Sequence, residues 1–370
     1  MKTLPTPEQL LLLQASLFLD DRALCAWKTW VQQVDFDQID PASYKLLPLV
    51  ARNPILANLQ DPIFEKCKGI YRQVWVTNQL NWKKMLPILQ HLPRVNKMIL
   101  LKGMAMILHY YKDFGVRVLG DIDIFIERSE IQPVVAFLHA SGWQSKMPCR
   151  FDINKEEHLN RWHALNFTHA NGLHLDLHWS FIEENALPLD QAVLADSELL
   201  FSNLYLPNAT DLLFQICIHG MKPSPIPLIR WMADAVTLLR HAEIDWPRLV
   251  NLAKQVHVCR SLSLALQFLL EQFDAPIPPS PLHELKQATV PYLEYLVCWS
   301  YKRNHHQLAA WCRFCLRNDY LTLSQQIIHI PRYLQSTARL KSRWQVPFFV
   351  LYWPLKQLLK RLKINATALI

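Results

Sequence analysis

Apolar residues recur at helical spacing over most of this chain, and its leucine-rich stretches predict a mostly helical protein. The first helix is predicted to begin at Thr6-Pro7-Glu8-Gln9, which has the form of a capping box with proline at the first helical position. Further helical patterns follow at residues 21–33, 43–52 and 61–90. Residues 1–95 are therefore predicted to form an N-terminal helical region.

The hydrophobic pattern changes after residue 97. Residues 98–101 form a short apolar run, which predicts a buried strand that enters a turn at Lys102-Gly103. Residues 121–126 alternate acidic and aliphatic side chains. Because successive side chains of a strand point to opposite faces, Asp121 and Asp123 should share one face of this strand.

A hairpin is predicted at Asn171-Gly172, the strongest short turn signal in the chain. In its second strand the apolar residues fall on one face, and His174, Asp176 and His178 fall on the other. If the turn has two residues, Phe167 lies opposite Asp176, and His169 lies opposite His174.

These patterns predict an α+β fold that is mostly helical, with a small mixed β-sheet core flanked by N- and C-terminal helical regions. The core is expected at residues 96–185, and five of the seven glycines lie between residues 103 and 172. Helical patterns return in a domain at residues 186–300, and residues 301–370 form a basic helical C-terminal region. A chain of 370 residues suits two or three domains.

Composition describes a globular protein, because 51% of the residues are hydrophobic and 19% are charged. The first nine residues lack the basic and apolar segments of a signal peptide. Eight cysteines are scattered along the chain without a dense framework. We therefore expect a reduced, cytoplasmic protein.

Positive charge is concentrated in the C-terminal region. Residues 301–370 contain twelve Lys or Arg and one acid, a net charge of +11, so the other 300 residues carry −3 of the total of +8. An acidic partner, such as a membrane surface or a nucleic acid, would bind here. Prolines 347 and 354 interrupt the apolar stretch, so peripheral membrane association is favoured over a transmembrane helix.

Asp121, Asp123 and Asp176 are the candidate catalytic and metal-binding residues. Three carboxylates in apolar strands would be costly to desolvate without a counter-ion, and Mg²⁺ or Mn²⁺ is the natural one. Lys102 and Arg117 would neutralise phosphate charge, and Gly103 would let backbone amides approach the phosphates. This arrangement predicts phosphoryl or nucleotidyl transfer from an NTP.

The order of these motifs resembles the nucleotidyltransferase superfamily that includes DNA polymerase β. It is more similar to a family of uncharacterised nucleotidyltransferases, the NTP_transf_5-like family, in Leu-Lys-Gly-x-Ala (101–105), Arg-x-x-x-Asp-x-Asp (117–123) and Asp-x-His-Trp (176–179). The resemblance also includes His219 and Arg230-Trp231-x-x-Asp234, and it implies transfer of NMP to a hydroxyl of an unknown small molecule, peptide or protein. The superfamily usually has a Gly-Ser turn whose serine hydroxyl contacts a phosphate, but here Gly103 is followed by Met104. Phosphate binding would therefore depend on Lys102, Arg117 and backbone amides.

Other interpretations remain open at this point. The core could be a degenerate one that binds a nucleotide or scaffolds a partner, or the enzyme could modify nucleic-acid ends through its basic tail. His174 and His178 could be metal ligands or could hydrogen-bond beside the site, and Arg117 could pair with Asp121 or Asp123. His219 and Asp234 are expected to orient the helical domain against the core. Cys312 and Cys315 have zinc spacing but no second pair, which argues against a zinc site.

Overall fold

A computed structural model of the chain describes residues 4–145, 152–160, 162–183, 187–222, 228–289 and 292–302, together with residues 312 and 316. Within these residues, helices surround one mixed sheet of seven strands. The predicted α+β, mostly helical fold is therefore confirmed. The boundaries of the four predicted regions remain a prediction.

Five helices precede the sheet. The capping box predicted at the first helix is present, because Thr6 Oγ1 accepts a hydrogen bond from the Gln9 backbone and the Gln9 side chain accepts one from the Thr6 backbone. Rings of Trp27, Trp30 and Phe64 pack in the core between these helices. The helices are α1 (Pro7–Leu17), α2 (Asp21–Gln33), α3 (Pro41–Tyr44), α4 (Leu47–Val50) and α5 (Pro62–Gln90), with 3₁₀ turns at Phe36–Gln38 and Pro54–Leu56.

The sheet combines parallel and antiparallel pairs in the order β3-β4-β5-β2-β1-β7-β6. Every residue of its central strands β1 and β2 is buried. The strands are β1 (Met98–Leu100), β2 (Ile122–Phe125), β3 (Gln144–Ser145), β4 (Ala164–Thr168), β5 (His174–His178), β6 (Glu198–Phe201) and β7 (Leu204–Leu206). The helices between them are α6 (Lys102–Ala105), a π-helix (Met106–Tyr111), a 3₁₀ turn (Arg128–Glu130), α7 (Ile131–Ala140), α8 (Glu156–Leu159) and α9 (Leu187–Ala195).

Two strands of the sheet lie beyond residue 185, where the sequence pattern had indicated only helices. Strand β7 pairs with β1 in parallel, and β6 pairs with β7 as an antiparallel edge strand. Both are short, and β6 is largely exposed, so neither carries the sustained alternation that predicts a strand.

The predicted hairpin is confirmed, but its predicted register is wrong by one residue. The backbone of His169 donates to Leu173, so the loop has three residues, and Gly172 adopts the left-handed conformation at φ 83°. Asn166, not Phe167, therefore lies opposite Asp176, and Thr168 lies opposite His174. A slip of one residue would have turned the buried Phe167 ring toward the polar face.

The C-terminal half described here is helical. Helices α10 and α11 pack closely because Gly220 has no side chain where the ring of Trp231 lies against it. The helices are α10 (Ala209–Gly220), α11 (Arg230–His241), α12 (Trp246–Gln255), α13 (Cys259–Phe273), α14 (Pro279–Gln287) and α15 (Tyr292–Lys302). None of the helices in the described ranges has the length and apolar character that crossing a bilayer requires. The basic tail and the Cys312–Cys315 pair lie almost entirely outside the described residues.

Candidate active site

Two of the predicted acids meet in the middle of the sheet. Strands β2 and β5 are parallel neighbours, and their register sets Asp123 directly beside Asp176. His178 lies two residues further along β5, on the same face as Asp176. One ligand atom from each of these three residues lies within 4.8 Å of the other two. Two carboxylates and an imidazole thus converge on one point.

Asp123 is a buried carboxylate with two hydrogen-bonding partners, the Lys102 ammonium group and the His178 ring. Its Oδ1 lies 2.5 Å from the Nζ of Lys102 and 3.0 Å from the Nε2 of His178. Burial opposes ionisation of this side chain, but the Lys102 charge and the His178 hydrogen bond outweigh it and hold the pKa of Asp123 well below its usual range. Asp123 is therefore a permanent negative charge in the core of the site.

Lys102 reaches Asp123 from the turn that follows β1. Its backbone is left-handed, at φ 43°, which ends the strand abruptly and starts the four-residue helix α6. The next residue, Gly103, packs against the Arg117 side chain: a Cβ atom there would lie 2.1 Å from Arg117 Nη1. Glycine at this position therefore lets the turn and Arg117 approach each other.

Arg117 is held by an acid that is 117 positions away in sequence. Its Nε and Nη2 donate to the two carboxylate oxygens of Asp234 on α11, at 3.0 and 2.9 Å, and the Tyr111 hydroxyl donates to the same carboxylate. Arg117 and Asp234 are both buried. This ion pair joins the helical domain to the core, in line with the orienting role expected for Asp234, and its partner is neither Asp121 nor Asp123.

Asp176 differs from Asp123 in its environment. It is half-buried and accepts a hydrogen bond from the Asn166 side chain on β4, the residue that the three-residue loop places opposite it. Burial and the neighbouring Asp123 charge raise the pKa of Asp176 to about 6, although the Asn166 hydrogen bond opposes the shift. The two acids of the site thus titrate in very different ranges.

The structure does not bring the other two predicted residues of this face into the cluster. Asp121 precedes β2 and has solvent contact, yet desolvation and the Asp123 charge raise its pKa. It lies near the charges of Lys102 and Arg230, at the edge of the site. His174 is exposed at the start of β5 and is not one of the three clustered residues.

Sequence analysis did not identify several residues as part of the site. Lys45 follows α3 and lies near Asp121 and Arg230, so desolvation and the Arg230 charge lower the pKa of Lys45. Asn166 lies on β4, and His163 immediately precedes that strand. The predicted hairpin includes both His163 and Asn166, but contacts between residues far apart in sequence leave no local pattern.

The donor set fits a divalent cation. Carboxylate oxygens are the ligands that Mg²⁺ and Mn²⁺ prefer, and an imidazole nitrogen suits Mn²⁺ better than Mg²⁺. Lys102 already places an ammonium charge against Asp123, so the chain itself supplies a cation at this carboxylate.

A model of the uncharacterised nucleotidyltransferase family matches residues 41–274, more than half of the chain. The chain belongs to this family. No curated protein matches the chain. The matched region of this nucleotidyltransferase family member runs from α3 to the end of α13, so it contains the whole sheet, the Arg117–Asp234 ion pair and the acidic cluster.

Proposed function

We propose that this protein is a metal-dependent nucleotidyltransferase that transfers NMP from an NTP to a hydroxyl of an acceptor. The observation that supports this most is the parallel register of β2 and β5, which sets Asp123 beside Asp176. Family membership supports the same class of activity.

The reaction needs a base for the acceptor hydroxyl. The hydroxyl oxygen forms a bond to the α-phosphorus, the bond between that phosphorus and the β-bridging oxygen breaks, and pyrophosphate leaves. We assign the hydroxyl proton to Asp176, because Lys102 and His178 both hydrogen-bond to Asp123, whereas the described hydrogen-bond partner of Asp176 is the neutral Asn166 side chain.

Asp123 and Asp176 would hold the metal, and Asp121 at the edge of the site is the third candidate ligand. Mg²⁺ or Mn²⁺ bound there would neutralise phosphate charge and favour ionisation of the attacking hydroxyl. His178 would keep Asp123 in position through the hydrogen bond to Oδ1.

The triphosphate would lie at the turn after β1. Lys102 carries its charge into the site from this turn, and Arg117 Nη1 lies against Gly103 while the rest of its guanidinium is fixed by Asp234. A guanidinium anchored in this way is already oriented, so little side-chain entropy is lost when phosphate binds.

Pyrophosphate release tests the proposal. Purified protein would be incubated with each labelled NTP, Mg²⁺ or Mn²⁺ and cell extract as the source of acceptor. We expect pyrophosphate release and transfer of label that EDTA abolishes and that Asp123→Asn and Asp176→Asn each reduce at least about 100-fold. Asp274→Asn is the matched control, because it changes an exposed aspartate that pairs only with Arg22 among the described residues. Equal release by wild-type protein and both site variants would refute the assignment.

The rival function is nucleotide binding or scaffolding by a degenerate core. One observation favours it: Lys102 already satisfies the Asp123 charge at 2.5 Å, as in a site that no longer takes a cation. Calorimetry with NTP and Mg²⁺ separates the two functions. Saturable binding without pyrophosphate release in any extract would favour the rival.

A further inference from the structure

Two basic side chains reach the edge of the acidic cluster from segments that are far apart in the sequence. Lys45 ends α3 in the N-terminal helical region, and Arg230 is the first residue of α11. The charges of Lys45 and Arg230 interact with each other and with that of Asp121, the acid that precedes β2. The N-terminal and C-terminal helical regions therefore both bring positive charge to this edge of the site.

The other two cations of the site already share their charge with an acid. Lys102 Nζ lies 2.5 Å from Asp123 Oδ1, and Arg117 Nη2 lies 2.9 Å from Asp234 Oδ2. Each contact is a charge-assisted hydrogen bond, which is a strong kind of hydrogen bond. A phosphate would share each of these cations with a carboxylate that is fixed in the core, so a triphosphate needs further positive charge.

Lys45 and Arg230 have no carboxylate within ion-pair distance among the residues that the structure describes. Arg230 donates from Nη1 to the Val118 carbonyl, which is a neutral acceptor. This contact holds the guanidinium in place and leaves its Nε and Nη2 without a partner in the described part of the chain; neither nitrogen is closed off from solvent. The Lys45 side chain is exposed and makes no hydrogen bond with a described residue. Both cations are thus accessible to an anion.

The surroundings of these two side chains disfavour positive charge. Burial and the Arg230 charge lower the pKa of Lys45, and burial and the Arg117 charge lower the pKa of Arg230 to about 10. Asp121 opposes both shifts without cancelling them. An anion bound between Lys45 and Arg230 would relieve the repulsion between them.

The loop beside these cations is open to solvent. Gly120 and Asp121 are both exposed. A Cβ atom added at Gly120 would meet no atom of the described residues within 4 Å, its chain neighbours apart. A ligand that lies along this loop therefore does not have to displace a packed side chain.

We propose that Lys45 and Arg230 bind the two outer phosphates of the NTP, which leave as pyrophosphate. This inference rests on the proposed nucleotidyl transfer and names two further residues that bind its substrate. The acids of the site indicate the direction: Asp123 and Asp176 lie side by side, and Asp121 lies two residues before Asp123, toward the two cations. With the α-phosphorus at the carboxylate pair, the rest of the triphosphate would extend past Asp121 to these cations.

Phosphate oxygens suit both side chains. A guanidinium binds two oxygens of a phosphate side by side, and an ammonium group binds as a point charge. When the bond between the α-phosphorus and the bridging oxygen breaks, the departing pyrophosphate keeps the electron pair and gains negative charge. Cations at that position stabilise the transition state more than the ground state, so Lys45 and Arg230 would raise kcat as well as NTP affinity.

Isothermal titration calorimetry with inorganic tripolyphosphate and Mg²⁺ tests the inference, because this probe carries the phosphates without a base or a sugar. We expect saturable binding at a single site. Lys45→Met and Arg230→Met should each weaken this binding at least about tenfold, the change expected when one charge-assisted hydrogen bond is lost. Pyrophosphate, the released group, should bind at the same site and be weakened by both variants.

Matched control variants lie elsewhere on the molecule. Lys286→Met changes an exposed lysine in the last turn of α14. Arg240→Met changes a half-buried arginine of α11 that also donates to backbone carbonyls, those of Leu17 and Phe273. Both should bind tripolyphosphate within about twofold of the wild type, since neither side chain lies at the site.

Variants of Lys45 cover the case in which Arg230→Met fails to fold. Lys45 is exposed, so Lys45→Met should keep the melting temperature of the wild type. Lys45→Arg keeps the positive charge and should therefore keep most of the affinity that Lys45→Met loses. Tripolyphosphate that fails to saturate, or that binds equally to wild-type protein and a folded Met variant at either position, would overturn the inference.

The outcome is separable from that of the proposed function. Pyrophosphate release from an NTP by wild-type protein, with tripolyphosphate binding unaffected in both Met variants, overturns the assignment of Lys45 and Arg230 and leaves the transfer reaction standing. Binding that depends on both cations, in a protein that releases no pyrophosphate with any NTP or extract, supports the phosphate site and refutes the transfer reaction.

Discussion

Replacing Asp234 with alanine would leave the Arg117 guanidinium buried without its counter-ion. The pair has two hydrogen bonds of ordinary length, 3.0 and 2.9 Å, and the exposed fraction is 2% for Asp234 and 7% for Arg117. Bulk water therefore does not reach the guanidinium in the folded protein. Removing one partner of a buried ion pair costs about 3–5 kcal/mol, and the Tyr111 hydroxyl loses its acceptor in the same variant.

Thermal and urea denaturation followed by circular dichroism measure this effect. For Asp234→Ala we expect the melting temperature to fall by about 5–15 °C. The double variant Arg117→Leu/Asp234→Leu removes both charges, so it should recover much of the stability that Asp234→Ala loses.

The exposed pair Arg22–Asp274 provides the control, since breaking a surface ion pair costs less than about 1 kcal/mol. An Asp234→Ala protein that melts within about 2 °C of the wild type would refute this account. NTP affinity of the stable double variant then measures what Arg117 adds to phosphate binding, apart from what it adds to folding.

Three further predictions concern single positions. Gly220→Ala would set a Cβ atom 2.0 Å from Trp231 Cγ, so urea denaturation should show a loss of about 1–3 kcal/mol. Gly69→Ala, on the open surface of α5 with nothing within 4 Å, should instead raise stability by about 0.5–1 kcal/mol in the same experiment. Burial raises the pKa of Asp190 from 3.8 to about 7 in the folded protein. Its contribution to stability is therefore complete below about pH 4 and is lost as the pH rises through 7. Asp190→Asn should remove this loss of stability at rising pH. Melting temperatures of the wild-type and variant proteins from pH 4 to 8 test the prediction, and parallel curves would contradict it.

Much of the secondary structure could be predicted from local periodicity in the sequence. Alternation in residues 121–126 and 173–179 determined which residues share a strand face, because a strand repeats every two residues whatever its neighbours are. The capping box at Thr6 likewise depends only on residues within one helical turn. Such features can be read without knowing how the chain packs.

The site itself depended on pairings between distant segments. Whether Asp176 lies beside Asp123 is decided by the parallel register of β2 and β5, and the partner of Asp176 is decided by a three-residue loop where two residues were expected. Asp234 shares no local pattern with Arg117. The sequence by itself determined the helices, the strand faces and the acids that could form a site. The tertiary structure alone decided which of them meet, because a charge buried in the core must find its counter-ion wherever the packed chain brings one within reach.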